Sequence, residues 1–177
     1  MNQQNTNQPV VPPRRSMRLA TIIPASYWIS MGYSQAQAIA IEWLQNDMKK
    51  YCDGKASHWK DNEINLVGKR RDILPHHDMM LPHWKRFAKA LNGRTSVNKV
   101  EFTGISMPSS VLDFMFPTLQ SMNLIELMLC GIGLGSEGYQ SFSSFIKDNT
   151  SLKHLVIGVE RIHNISIAGS LADALKD

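Results

Sequence analysis

An apolar pattern repeats three times in the second half of the chain. Each copy reads apolar-x-x-apolar-x-apolar, and the copies occupy residues 97–102, 124–129 and 152–157. The period is therefore 27 to 28 residues, and an apolar segment with helical spacing follows each copy. One strand–turn–helix unit cannot cover its own apolar face, so units of this length stack and bury a shared core. The pattern predicts an α/β solenoid with parallel strands on one face and helices on the other.

Apolar residues three or four positions apart mark the predicted helices of these units. In chain order they are Leu112, Met115, Phe116 and Leu119, then Phe142, Phe145 and Ile146, then Leu171, Ala172 and Leu175. Pro117 lacks an amide proton and crowds the preceding turn, so we expect the first of these helices to end near Phe116. A fourth, irregular unit is predicted upstream, with a strand over 64–66, a charged loop over 67–80 and helical spacing over 81–91.

Two further segments precede the repeat. Ser34 and Gln37 form a capping-box pair, and Gly54 is a residue at which a helix ends. We therefore predict a helix over residues 34–52. The apolar stripe of this helix consists of Ile41, Leu44, Met48 and Tyr51, with Ile39 and Trp43 alongside. The stripe predicts that the helix lies as a cap over the first unit. Residues 1–20 lack a hydrophobic period, so we expect a disordered basic arm there. The expected organisation is this arm, a helical cap region over 21–62 and a repeat domain over 63–177.

The repeat resembles the leucine-rich-repeat family and, within it, the ribonuclease-inhibitor-like class. The best match is 124–152, where LGSEG at 134–138 corresponds to the family's turn into the helix and NTSL at 149–152 to its return. The resemblance covers roughly 64–177 and implies a short solenoid with a concave sheet. The family usually has Asn or Cys at the ninth position of a unit, where this chain has Ile105, Ile132 and Glu160. The hydrogen bonding of the turns is therefore left open. No cap is predicted after Leu175, so we expect an incomplete array at this end.

Charge is unevenly distributed along the 177 residues, whose formal net charge is +4. Residues 49–99 carry a net charge of +7, whereas residues 100–177 carry −4. Such a polarised molecule steers partners by its field, and a uniformly basic nucleic-acid binder is a poor description of it. The chain has no signal segment, no long apolar run and only two cysteines. We therefore expect an intracellular, cytoplasmic protein with no membrane contact, the nucleus being the alternative location.

Several clusters resemble reactive sites but have simpler explanations. His76, His77, Asp78 and His83 fit no standard zinc spacing, and we interpret them as a solvated loop beside a helix start. The glycines of 131–138 are explained by tight turning between strand and helix. Two arginines precede Ser16, which makes this serine a candidate for phosphorylation by a basophilic kinase. We predict no catalytic residue, no metal and no cofactor, and hence a protein that is not an enzyme.

The candidate binding surface is the concave face of the sheet, where the residues between the inward apolar positions form rows across the strands. The rows are Lys99, Glu126 and His154, then Glu101, Met128 and Val156, then Thr103, Cys130 and Gly158. An apolar centre with a polar rim is typical of protein interfaces, whereas Glu101 and Glu126 repel phosphates. The predicted partner contacts are Lys99, Glu101, Glu126, Met128, His154 and Val156. The alternative is an inert, solvated sheet face.

The predicted function is therefore protein–protein interaction without catalysis, with the partner's identity and the oligomeric state left open. The basic residues within 69–71 and 85–89 are expected to steer acidic partners. One alternative is nucleic-acid association through Arg14–Arg18 and the basic middle region. The resemblance implies another, because the ribonuclease-inhibitor-like class includes GTPase-activating proteins for a small nuclear GTPase.

Overall fold

The computed structural model describes residues 21–55, 62–68 and 73–158. The helices in these ranges are α1 (Ala25–Ser30), α2 (Gln35–Cys52), α3 (Leu81–Leu91), α4 (Ser109–Gln120) and α5 (Ser136–Asp148). The strands are β1 (Glu63–Val67), β2 (Lys99–Thr103), β3 (Glu126–Cys130) and β4 (His154–Gly158). The expectations made for the disordered basic arm over 1–20 with Arg14–Arg18 and Ser16, for residues 69–71, for Glu160 and for the helical spacing over 171–175 lie outside the described residues.

The four strands form one parallel sheet in the order β1-β2-β3-β4. Spatial order equals chain order, and a helix connects each strand to the next, so every crossover adds one strand on the same side. Helices α2 to α5 pack side by side, each against its neighbour, and form one layer. The predicted α/β class is confirmed, with a parallel sheet on one side and helices on the other.

The core lies between this sheet and the helix layer. The inward residues of β1, β2 and β3 are all at most 1% exposed, and they are Ile64, Leu66, Val100, Phe102, Leu127 and Leu129. Trp84 and Phe87 of α3 meet Phe102 edge-on, with ring centroids 6.1 and 6.5 Å apart. Burial of each large apolar side chain contributes about 1.5–3 kcal/mol, which explains why the alternation in the sequence fixes which sheet face turns inward.

Backbone groups of neighbouring units close the turns that follow the strands. Gly104 and Gly131 adopt φ values of +66° and +58°, a region that disfavours side chains. The Gly104 amide donates to the Cys130 carbonyl at 2.7 Å, so one unit's turn is hydrogen-bonded by the next unit's backbone. Ile105 and Ile132, the ninth positions of their repeat units, are only 2% and 3% exposed. These turns therefore use backbone partners and leave that position to the apolar core.

The helix predicted over 34–52 is confirmed together with its N-terminal capping box. In α2 the Gln37 amide donates to Ser34 Oγ at 3.2 Å, and the Ser34 amide donates to Gln37 Oε1 at 3.1 Å. Gly54 has a φ of +67° directly after the helix. The placement of Trp43 beside the apolar stripe is wrong, because this side chain is 47% exposed. Two residues along a helix correspond to a rotation of about 200°, which puts Trp43 opposite the buried Ile41.

The short helix α1 was not distinguished by the sequence pattern, and specific hydrogen bonds hold it against α2. Gln45 is fully buried, and its Oε1 accepts from the Ile23 amide at 2.8 Å. Its Nε2 donates to the Ile23 carbonyl at 3.2 Å, so one side chain satisfies both backbone groups of that residue. Trp28 is fully buried, with its ring edge-on to Tyr33 and His77. Helices α1 and α2 thus form a packed unit at the β1 end of the sheet.

The expected end of a helix near Phe116 is wrong, because α4 continues to Gln120. Pro117 is exposed, whereas the following Thr118 and Leu119 are buried. The Thr118 hydroxyl donates to the Phe114 carbonyl at 2.7 Å, which adds a side-chain hydrogen bond to the last turn. Burial of this turn outweighs the single backbone hydrogen bond that the proline removes.

The interpretation of the histidines as a solvated cluster is also wrong for two of them. His83 lies in α3 and is 6% exposed, and burial, aided by the positive charge of Arg86, lowers its pKa to about 4. Both ring nitrogens of His76 are buried and find no hydrogen-bond partner among the described residues. Burial lowers the pKa of His76, and the nearby Asp78 carboxylate only partly opposes this. Across residues 21–55, 62–68 and 73–158, no group of three His, Cys, Asp or Glu side chains could hold a metal ion.

Candidate functional site

The face of the sheet that lies opposite the helices, which we call the open face, carries side chains in three rows. Each row takes one residue from each strand, because the parallel strands align without stagger. The first row is Glu63, Lys99, Glu126 and His154, the second is Asn65, Glu101, Met128 and Val156, and the third is Val67, Thr103, Cys130 and Gly158. The structure thus brings together all six residues predicted to contact a partner, within the first two rows.

Strand β1 adds three side chains that the sequence-based prediction omitted. Glu63, Asn65 and Val67 alternate with the buried Ile64 and Leu66 and extend the rows by one column. The signal was present in the sequence, since the predicted strand over 64–66 needed only one more residue at each end. Val67 is 50% exposed, so the added column is accessible.

The first row is an alternation of acidic and basic groups. The Nζ atom of Lys99 lies 3.3 Å from Glu126 Oε1 and 4.0 Å from Glu63 Oε1. The hydrogen bond and the negative charge of Glu126, with the charge of Glu63, raise the pKa of Lys99. One ammonium group is therefore shared between two carboxylates, and the row retains an excess of negative charge when histidine is counted as neutral.

In the second row, neighbouring polar groups orient the carboxylate of Glu101. Its Oε2 accepts from Asn65 Nδ2 at 3.4 Å, and its Oε1 accepts from the Thr103 hydroxyl at 3.1 Å. Both donors belong to the same face, one on the adjacent strand and one two residues along the same strand. A side chain held in this way loses less conformational freedom when it binds a ligand.

Beside this carboxylate lies an apolar patch, which we define as Met128, Cys130 and Val156. Met128 and Val156 are directly paired on β3 and β4, and Val156 is 43% exposed. Cys130 is half-buried and free, and its thiol lies close over Gly158. A Cβ atom at Gly158 would approach Cys130 Sγ to 2.8 Å, so the glycine leaves room for the thiol. The patch and the carboxylates are therefore neighbours on one exposed surface.

The described basic residues of 85–89 lie on the other side of the sheet. Lys85 and Lys89 are exposed on α3, whose Trp84 packs against the inward side chain Phe102. Arg86 on the same helix lies 3.2 Å from the Asp53 carboxylate and is partly neutralised by it. Positive charge on the helix layer does not focus a partner onto the open face, so the expected steering of acidic partners finds no support in this arrangement.

Comparison with known proteins adds no relative to this picture. No family model, no curated protein and no solved structure matches the chain. Among the helices that the structure describes, none combines the length and apolar character needed to cross a membrane. The arrangement of the open face is therefore the observation from which a function can be argued.

Proposed function

We propose that this chain is a short leucine-rich-repeat-like solenoid that binds a protein partner through its open face. The repeat period, the in-register parallel strands and the single helix layer support the solenoid. The observation that carries the binding function is the partly exposed apolar patch bordered by oriented polar groups. A sheet face that only meets water gains nothing from the partly exposed Met128 and the exposed Val156, whereas a protein interface uses such a centre.

The distribution of charge favours a protein over a nucleic acid. Glu63, Glu101 and Glu126 all lie on the open face, and its described cation, Lys99, is already paired. Phosphates that approached this face would meet three carboxylates, and a nucleic-acid interface needs the opposite charge. A polar rim of this kind is tolerated by a protein partner, which supplies matching donors and cations.

Site-specific photocrosslinking tests this proposal. A photoreactive amino acid replaces Met128 in one variant and Lys89, on the helix layer, in a matched control. Each full-length variant is expressed in cells of the organism from which the protein comes, and the cells are irradiated. A discrete crosslinked protein at position 128, absent at position 89, supports the proposal. The crosslink should also disappear when Val156→Asp is added, provided that circular dichroism shows the variant folded. Equal crosslinking at both positions, or none at 128, would overturn it.

A further inference from the structure

The open face is acidic although the chain as a whole is basic. Its described charged groups are three glutamates and one lysine, with His154 counted as neutral, which gives a local charge of −2 against +4 for the chain. The negative charge is concentrated next to the apolar patch, since Glu101 pairs with Met128 across the strands and Glu126 lies two residues from it. This surface therefore combines a partly exposed apolar centre with a negative border.

We propose that the partner presents a basic amphipathic segment to this face. An apolar side chain of the partner covers Met128 and Val156, and an arginine or lysine reaches Glu101 or Glu126. The inference rests on the proposed function and specifies the chemistry of the partner. Charge complementarity decides that the partner segment is basic, because an acidic segment would bring its carboxylates against the three glutamates of the open face.

The geometry of the rows also sets the spacing of the ligand groups. Neighbouring positions on the sheet are about 5 Å apart across strands and about 7 Å apart along a strand. The apolar and basic groups of the partner must therefore lie about 5–7 Å apart, as residues i and i+2 do on one side of an extended segment. Alternate apolar and basic residues on one side of an extended chain satisfy this spacing.

Glu101 is the better placed of the two carboxylates. Asn65 and Thr103 each donate to one of its oxygens, which fixes the plane of the carboxylate and leaves lone pairs on both oxygens for a planar guanidinium group. Glu126 already shares Lys99 with Glu63, so a second cation there competes with an existing ion pair. We therefore expect arginine to be preferred to lysine, and Glu101 to contribute more than Glu126.

Fluorescence polarisation with a synthetic probe tests the inference on the full chain. The probe is a fluorescein-labelled peptide in which leucine and arginine alternate at every second position, with serine between them, and the control peptide has glutamate in place of arginine. We expect the arginine peptide alone to bind, with an affinity that falls as salt increases. Combined Glu101→Gln and Glu126→Gln should weaken binding about tenfold, from two exposed ion pairs of ordinary strength. Glu137→Gln, which removes an exposed carboxylate from α5, should change nothing.

Each other result overturns the inference in a recognisable way. If the glutamate peptide binds as well as the arginine peptide, or if Glu137→Gln weakens binding as much as the double variant, the assigned chemistry is wrong. If position 128 crosslinks to a partner while neither peptide binds, the inference fails and the proposed function stands. If the unliganded chain self-associates and the double variant abolishes this, the occupant is a second copy and the inference fails.

Discussion

Removal of a single hydroxyl group tests how the outer edge of the sheet is closed. Strand β1 is the first in the sheet order, and the Asn65 amide and carbonyl on it both use the hydroxyl of Tyr51. This hydroxyl accepts from the Asn65 amide at 2.9 Å and donates to the Asn65 carbonyl at 3.3 Å. Helix α2 thus places a partner where a neighbouring strand would otherwise lie, and Tyr51→Phe removes that partner alone.

The expected cost follows from what remains after the substitution. Tyr51 is 2% exposed and its ring lies edge-on to Phe87, so phenylalanine keeps the packing and leaves no large cavity. The Asn65 amide and carbonyl lose a partner in hydrogen bonds that are part-buried. An unsatisfied buried donor or acceptor costs about 1–3 kcal/mol, and partial burial places this site at the lower end, so we expect Tyr51→Phe to lower the free energy of unfolding by about 1–2 kcal/mol.

Urea denaturation followed by circular dichroism measures this change. Tyr139→Phe is the matched control, because its hydroxyl is buried and has no hydrogen-bond partner within the described part of the chain. Loss of that hydroxyl should leave stability within about 0.5 kcal/mol of the original or slightly raise it. Equal effects of the two substitutions, or a Tyr51→Phe variant as stable as the original chain, would refute the argument that the hydroxyl closes the edge.

Three further predictions concern the cap, pH and the turns. Gln45→Leu roughly keeps side-chain volume but removes the hydrogen bonds to the Ile23 backbone and to the Ile41 carbonyl, and calorimetry should show a loss of about 2–4 kcal/mol in the free energy of unfolding. Because burial lowers the pKa of His83 to about 4 from 6.5, the unfolded chain takes up the proton first as pH falls. Stability should therefore be full above pH 6.5 and decrease by up to about 3 kcal/mol by pH 4, a slope that His83→Phe flattens in urea titrations. A Cβ at Gly68 would clash with the Gly104 carbonyl, so Gly68→Ala should cost at least about 2 kcal/mol. Gly135→Ala, with open space around it, should cost only about 0.5–1 kcal/mol, the loss of a favoured N-cap residue of α5.

The sequence allowed the sheet to be predicted well because its signal is strictly periodic. An alternation of buried and exposed positions that recurs every 27 to 28 residues fixes both the strand and its register against the next strand. The rows of the open face follow from that register, and so do the neighbours of Met128. What the pattern could not supply is the orientation that hydrogen bonds give to individual groups, such as the Glu101 carboxylate.

The predictions failed where tertiary burial overrides a local rule. Pro117 normally ends a helix, but packing of the next turn carries α4 onward. His76 and His83 look like solvent-exposed residues in a charged loop, yet both ring nitrogens of His76 are buried and His83, on α3, is 6% exposed. Helix α1 is only six residues long, so it has too few turns to show a hydrophobic period, and its position depends on Gln45.

The unstaggered alignment of the strands makes the open face a grid, three positions high and four strands wide. Strand length sets the height, whereas the number of units sets the width. Duplication or loss of one unit would therefore change the face by a whole column of three side chains and leave the other columns in place. Point substitutions on the open face, in contrast, alter single positions without disturbing the core, since the inward residues between them carry the packing. Under the proposed function, such a surface would acquire a new specificity one position at a time and a longer partner one column at a time.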